Sequence, residues 1–179
     1  MTKSIAANWV VAISSVLVAF VLVFPDANAQ FVDRTLSLRD LASQLKTPEA
    51  IAQYLWRNFT YESDRYLFGK DNVLQSPETM METRKGDCED FAMFAYQLLK
   101  MNGIKAFLFN VYGNGYGHSV CVFKENGKFT VIDGTRIIRS EAATLDDVAY
   151  ELYPFWNKAT VSILPSGSGT VKILEKIAR

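Results

Sequence analysis

Gly86-Asp87-Cys88-Glu89-Asp90-Phe91-Ala92 places a cysteine where a turn gives way to a strongly apolar helix. Phe91, Ala92, Met93, Phe94, Ala95, Leu98 and Leu99 occupy nearly every face, and a helix apolar all round belongs at the centre of a domain. Asn102-Gly103 stops it. Downstream, the chain's only histidine, His118, stands in a strand-like segment, and Asp133 ends the next one. Cysteine, histidine, aspartate is the order expected of a nucleophile, its base and the group that orients the base.

Outward from that helix, three strand-like runs cover Ile104 to Tyr112, His118 to Lys124 and Lys128 to Ile132. Asn126-Gly127 joins the last two as a tight-hairpin signal. Upstream, leucines at helical spacing predict a first helix over Thr35 to Lys46. Thr47-Pro48-Glu49 restarts a second with a capping threonine, proline in the first turn and an acid beside it. Tyr61 to Asn72 is polar and reads as a long loop; Ser76-Pro77-Glu78 opens a short helix ending near Lys85-Gly86. Leu145 to Leu152 predicts another short helix, and Thr160 to Leu164 with Thr170 to Leu174 a closing hairpin. Helices first and an antiparallel sheet second make an α+β layout.

The first 29 residues read as an address. Lys3 precedes an apolar run from Trp9 to Phe24, Pro25 breaks it, and Ala27-Asn28-Ala29 offers a cleavage site before Gln30. The run falls short of the roughly 20 residues a spanning helix needs. The expectation is a signal peptide over residues 1–29 and a single exported domain over 30–179, periplasmic or secreted, with no stable membrane insertion after cleavage. An uncleaved N-terminal anchor is the alternative. Lysine plus arginine number 19 and aspartate plus glutamate 19, so the basic footprint of a nucleic-acid binder is absent.

At a helix N-terminus, Cys88 feels the positive end of the dipole, which favours the reactive thiolate. Asp87, Glu89 and Asp90 push the other way, unless they cap the helix or hold a cation such as calcium. The plainer readings are a buried thiol or a disulfide with Cys121, the other cysteine. Alternation in a strand puts His118, Val120 and Val122 on one face and Cys121 on the other. If His118 faces Cys88, that pairing is opposed. Across the hairpin Asp133 falls within a residue or two of His118, in reach of one imidazole nitrogen; its plainer reading is a turn aspartate before Gly134.

With Gly103-Ile104-Lys105-Ala106, Gly117-His118-Ser119-Val120 and Val131-Ile132-Asp133-Gly134, the cysteine stretch resembles the core of the transglutaminase-like superfamily, and within it the bacterial transglutaminase-like cysteine proteinases. The resemblance covers about residues 48 to 136. It implies a papain-like α+β fold, with a central nucleophile helix packed on an antiparallel sheet. It also implies Cys88 as nucleophile, His118 as base and Asp133 as orienting acid. In some relatives the acids beside the cysteine bind calcium, which maps onto Asp87, Glu89 and Asp90; no other cofactor is required. Beside the Cys88 backbone N–H, the second oxyanion donor has two candidates, Tyr61 and Gln75. The expected function is an exported thiol-dependent amide hydrolase, of cysteine peptidase or deamidase type, acting on peptide or protein substrates through an acyl-enzyme thioester. The alternatives are a non-catalytic envelope binding module on the same fold and a protein-crosslinking transglutaminase.

Overall fold

Hydroxyl and carboxylate caps decide where five of the six described helices begin. The computed structural model describes residues 36–166 and 169–178, so the expected signal segment, residues 1–29, lies outside the described residues. Helix α1, Leu38–Gln44, starts behind Ser37, which trades hydrogen bonds with Asp40 in a capping box, so it begins later than the expected Thr35. Helix α2, Pro48–Asn58, is capped by Thr47 as anticipated. The stretch read as one long loop is more ordered than that. It opens with β1, Thr60–Tyr61, paired in parallel with β2, Lys85–Gly86, and then forms α3, Asp64–Phe68, closed by Gly69 in the left-handed region. Helix α4, Pro77–Thr83, follows its Ser76 cap.

Helix α5, Cys88–Met101, is the centre of the molecule. Asp87 caps it and Asp90 returns the bond to the Asp87 N–H. Phe91, Phe94, Leu98 and Leu99 are each at most 2% exposed, a burial that contributes on the order of 1.5–3 kcal/mol per side chain. One side of α5 meets α1, α2 and α4; the other lies across three strands, β3 (Ala106–Gly113), β4 (Tyr116–Glu125) and β5 (Lys128–Asp133). The β3–β4 and β4–β5 turns each place an asparagine and a glycine at positive φ, Asn114-Gly115 at 52° and 80° and Asn126-Gly127 at 50° and 81°, the geometry that matches strand twist.

The sheet extends beyond the expected strands. Strand β6, Arg136–Arg139, which the sequence did not announce, folds back on β5. Helix α6, Leu145–Leu152, has the expected limits, and β7 (Lys158–Ile163) with β8 (Lys172–Ala178) forms the closing hairpin. The order is β6-β5-β4-β3-β7-β8, with every neighbouring pair antiparallel. On the face away from α5, Phe109, Val111, Val120, Val122, Val131 and Val161 share a core with Val148 and Ala149 of α6 and with Trp156. A helical layer on one face and α6 on the other give the α+β architecture.

Candidate active site

Asp87 is the Ncap and Cys88 the first residue of α5, so the thiol sits at the helix end where backbone N–H groups lack intrahelical partners. Gly86 makes that corner possible. A Cβ there would meet Oδ2 and Cβ of Asp90 at 2.6 and 2.7 Å, and Asp90 has nowhere to retreat. Its carboxylate is 1% exposed and accepts from the Gln75 backbone N–H and side-chain Nε2, both at 2.7 Å, and from the Asp87 N–H at 3.2 Å. Gln75 is equally committed: Nε2 also donates to the Lys85 carbonyl and Oε1 accepts from Thr83. Gln75 therefore braces the helix start, and its amide is not directed to an oxyanion.

His118 Nε2 lies 2.8 Å from Asp133 Oδ1, and the second carboxylate oxygen faces Arg136 at 3.6 Å. With Nε2 taken, Nδ1 is the nitrogen left for the Cys88 sulfur, the other hydrogen-bonding partner of the ring. The bond to Asp133, then that to Cys88, raises the imidazole pKa to about 10, against the opposing effect of burial. The β4–β5 ladder pairs Glu125 with Lys128 and closes at Cys121 with Ile132; continued, it sets Asp133 two residues from His118 on the same face.

Strand parity explains the two cysteines differently from the sequence argument. His118 has the parity of Val120 and Val122, the face shared with α6, whereas Cys121 is buried on the α5 face near Tyr96. His118 lies beyond the last β4–β5 pair, where β4 is paired with β3 alone. Cys121 lies deeper, and both thiols are free.

Tyr61 also lies beside Cys88. Its Cα pairs with Gly86, its ring centroid is 6.3 Å from that of Phe91, and its hydroxyl lies against both the amide and the thiol of Cys88. Burial first, then the charges of Cys88 and Asp87, hold its pKa above the ordinary phenol value.

Among the acids, Asp64, Asp87 and Glu89 come together, with a carboxylate oxygen of each within 4.8 Å of the others. Asp90 is not in this group, because its oxygens are taken by Gln75 and the helix start. Asp64 is 2% exposed; Oδ2 accepts from the Val73 N–H, and Oδ1 is buried without a hydrogen-bond partner. Burial, then Asp87, Asp64 and Asp90, pushes the Glu89 carboxyl up to about 7. Three crowded carboxylates with an unpartnered buried oxygen are a donor set that suits a hard divalent cation. Sequence reading missed Asp64. Ser63-Asp64 before Tyr66, Leu67 and Gly69 is a helix start and stop, but only the fold brings it to Asp87.

The transglutaminase-like domain profile matches residues 32–142. A UPF0252 protein of Archaeoglobus fulgidus is 33% identical over 75 residues, 41% of this chain and 22% of that protein, so the chain spans less than a quarter of the relative. Among solved structures, Legionella pneumophila LapG superposes with a TM-score of 0.48 at 18% identity, covering 76% of this chain and 74% of LapG. Its calcium-bound form gives 0.48 at 17%, over the same shares. A TGase gives 0.42 at 19%, covering 62% of this chain and 34% of its own. No helix among the described residues is long and apolar enough to cross a membrane. The profile match spans more than half of the sequence and includes Cys88, His118 and Asp133, so the chain belongs to the transglutaminase-like domain family.

Proposed function

We propose that this protein is a thiol-dependent amide hydrolase, exported on its N-terminal segment, that cleaves peptide or protein substrates through an acyl-enzyme thioester. The observation that carries the reading is the His118–Asp133 hydrogen bond of 2.8 Å on a ring whose other nitrogen is left for Cys88. The thiolate of Cys88 attacks the carbonyl carbon and the imidazolium Nδ1–H passes its proton to the departing amine as the C–N bond breaks. Water then adds to the thioester, His118 takes its proton, and the C–S bond breaks to restore the thiolate. Asp133 holds the ring and stabilises its charged form.

The oxyanion forms beside the Cys88 N–H, and the Tyr61 hydroxyl is the second donor. Each such donor is worth on the order of 3 kcal/mol of barrier. Asp64, Asp87 and Glu89 are the residues that would hold calcium, whose charge would neutralise the carboxylates around the thiol. The two free cysteines favour this reading over a disulfide-bonded binding module.

The test is hydrolysis of a quenched-fluorescence peptide library, and of glutamine amides, by the purified protein. Activity lost in Cys88→Ala is the expected result. Hydrolysis that persists in that variant overturns the proposal.

A further inference from the structure

A cavity of about 380 Å³ opens on His118, and it is walled by aromatic side chains. Tyr112 and Tyr116 come from the β3–β4 hairpin; Tyr153, Phe155 and Trp156 come from the segment between α6 and β7. No aspartate, glutamate, lysine or arginine lines it. A larger cavity, about 630 Å³, lies at α1 and α4, shares no residue with the triad and carries Arg39, Glu78, Glu82 and Arg84.

The aromatic wall is built rather than loosely draped. Gly113 allows its backbone to run against the segment: a Cβ there would meet the Phe155 carbonyl oxygen at 2.1 Å. The Asn157 N–H donates to the Tyr112 carbonyl at 2.8 Å, and the Trp156 N–H to the Tyr153 carbonyl at 3.0 Å. Trp156 is 3% exposed and meets Tyr150 edge-on, ring centroids 5.5 Å apart. The Tyr153 ring lies 6.0 Å from that of His118. Against this fixed floor, Tyr116 and Phe155 are 81% and 77% exposed, large apolar surface left to water at the mouth of a concave site.

We infer that this cavity receives an aromatic or large aliphatic side chain of the substrate residue that contributes the departing amine. The inference rests on the proposed amide hydrolysis and extends it. Cys88 bonds to the acyl carbon, while His118 delivers its proton to the amine nitrogen, so the amine side of the scissile bond passes over His118. The cavity opens there, and Cys88 is not among the residues that line it. The one cationic group in its wall is His118, so a basic side chain entering it would leave water for a wall with no countercharge. The acids Asp64, Asp87 and Glu89 lie instead at the cysteine end of α5. The site is thereby fitted to cleave peptide bonds before apolar residues rather than to release ammonia from side-chain amides.

Partitioning of a common acyl-enzyme tests this without a known substrate. p-Nitrophenyl acetate acetylates the Cys88 thiolate with loss of p-nitrophenolate. An amino-acid amide then competes with water for the thioester and, by microscopic reversibility, enters through the subsite of the departing amine. Phenylalaninamide and leucinamide should capture the acetyl group about tenfold more efficiently than glycinamide or lysinamide, with products measured by mass spectrometry against a Cys88→Ala blank. Tyr116→Ala and Phe155→Ala, at exposed positions, should pull that ratio toward one. Acetylation of Cys88 with no preference among the amides, or a preference that survives both substitutions, overturns the subsite and leaves the hydrolase standing. No acetylation of Cys88 sinks both.

Discussion

At the residue scale, the chemistry depends on how Asp133 sets the state of His118. The hydrogen bond to Asp133 is the largest influence raising the imidazole to about 10, so the ring stays cationic across neutral pH. The alkaline limb of a rate profile should therefore fall near pH 10. In Asp133→Asn it should move toward neutrality, with kcat reduced on the order of 10² to 10⁴-fold; an unshifted limb would show that Asp133 does not govern the ring. The same linkage acts on stability. Because the folded pKa lies above the ordinary value of 6.5, the pair stabilises the fold fully below about pH 6.5 and loses that contribution as pH rises through about 10. Urea unfolding of wild type and Asp133→Asn should thus converge at alkaline pH. Tyr61 makes a separate prediction. Tyr61→Phe should lower kcat about 10²-fold with KM little changed, since the oxyanion exists only in the transition state.

At the element scale, the start of α5 is a fitted corner rather than a generic helix cap. Gly86, Asp90 and Gln75 occupy one another's space, and the bonds of Asp90 tie α5 to the segment that leads into α4. Gly86→Ala should destabilise the domain by about 1–3 kcal/mol in urea denaturation, as overpacking does. A loss under about 0.5 kcal/mol would mean that Asp90 can move aside. The same corner explains which acid is available to a cation. The Cys88 stretch carries three acids, but hydrogen bonding occupies Asp90, and the carboxylate that comes together with Asp87 and Glu89 is Asp64 of α3.

At the scale of the whole molecule, α5 is clamped between the sheet and the helices before it, and the acid cluster joins two of those parts. Calcium bound to Asp64, Asp87 and Glu89 would link α3 to the start of α5. Ligand at about a hundredfold over its Kd should add about 2.7 kcal/mol of stability. A calcium-dependent rise in Tm, reversed by chelator and absent in Asp64→Asn, is the expected outcome; the same rise in that variant would place the ion elsewhere.

The sequence by itself determined the local events. Caps at Thr47 and Ser76, the apolar run of α5, the Asn126-Gly127 turn and the order of cysteine, histidine and aspartate are written within short windows, where backbone geometry and side-chain chemistry act alone. The hairpin count even placed Asp133 near His118, because register propagates from a tight turn. What lay beyond it was decided by contacts between distant segments. Strand β6 carries little alternation of its own and forms because β5 offers an unpaired edge. The approach of Asp64 to Asp87 and Glu89, the hydrogen bonds that occupy Gln75, and the aromatic wall at His118 all depend on which surfaces the packed core brings together. No local pattern encodes that, since burial and hydrogen-bond competition are settled only when the sheet, α5 and the segment before β7 are packed together.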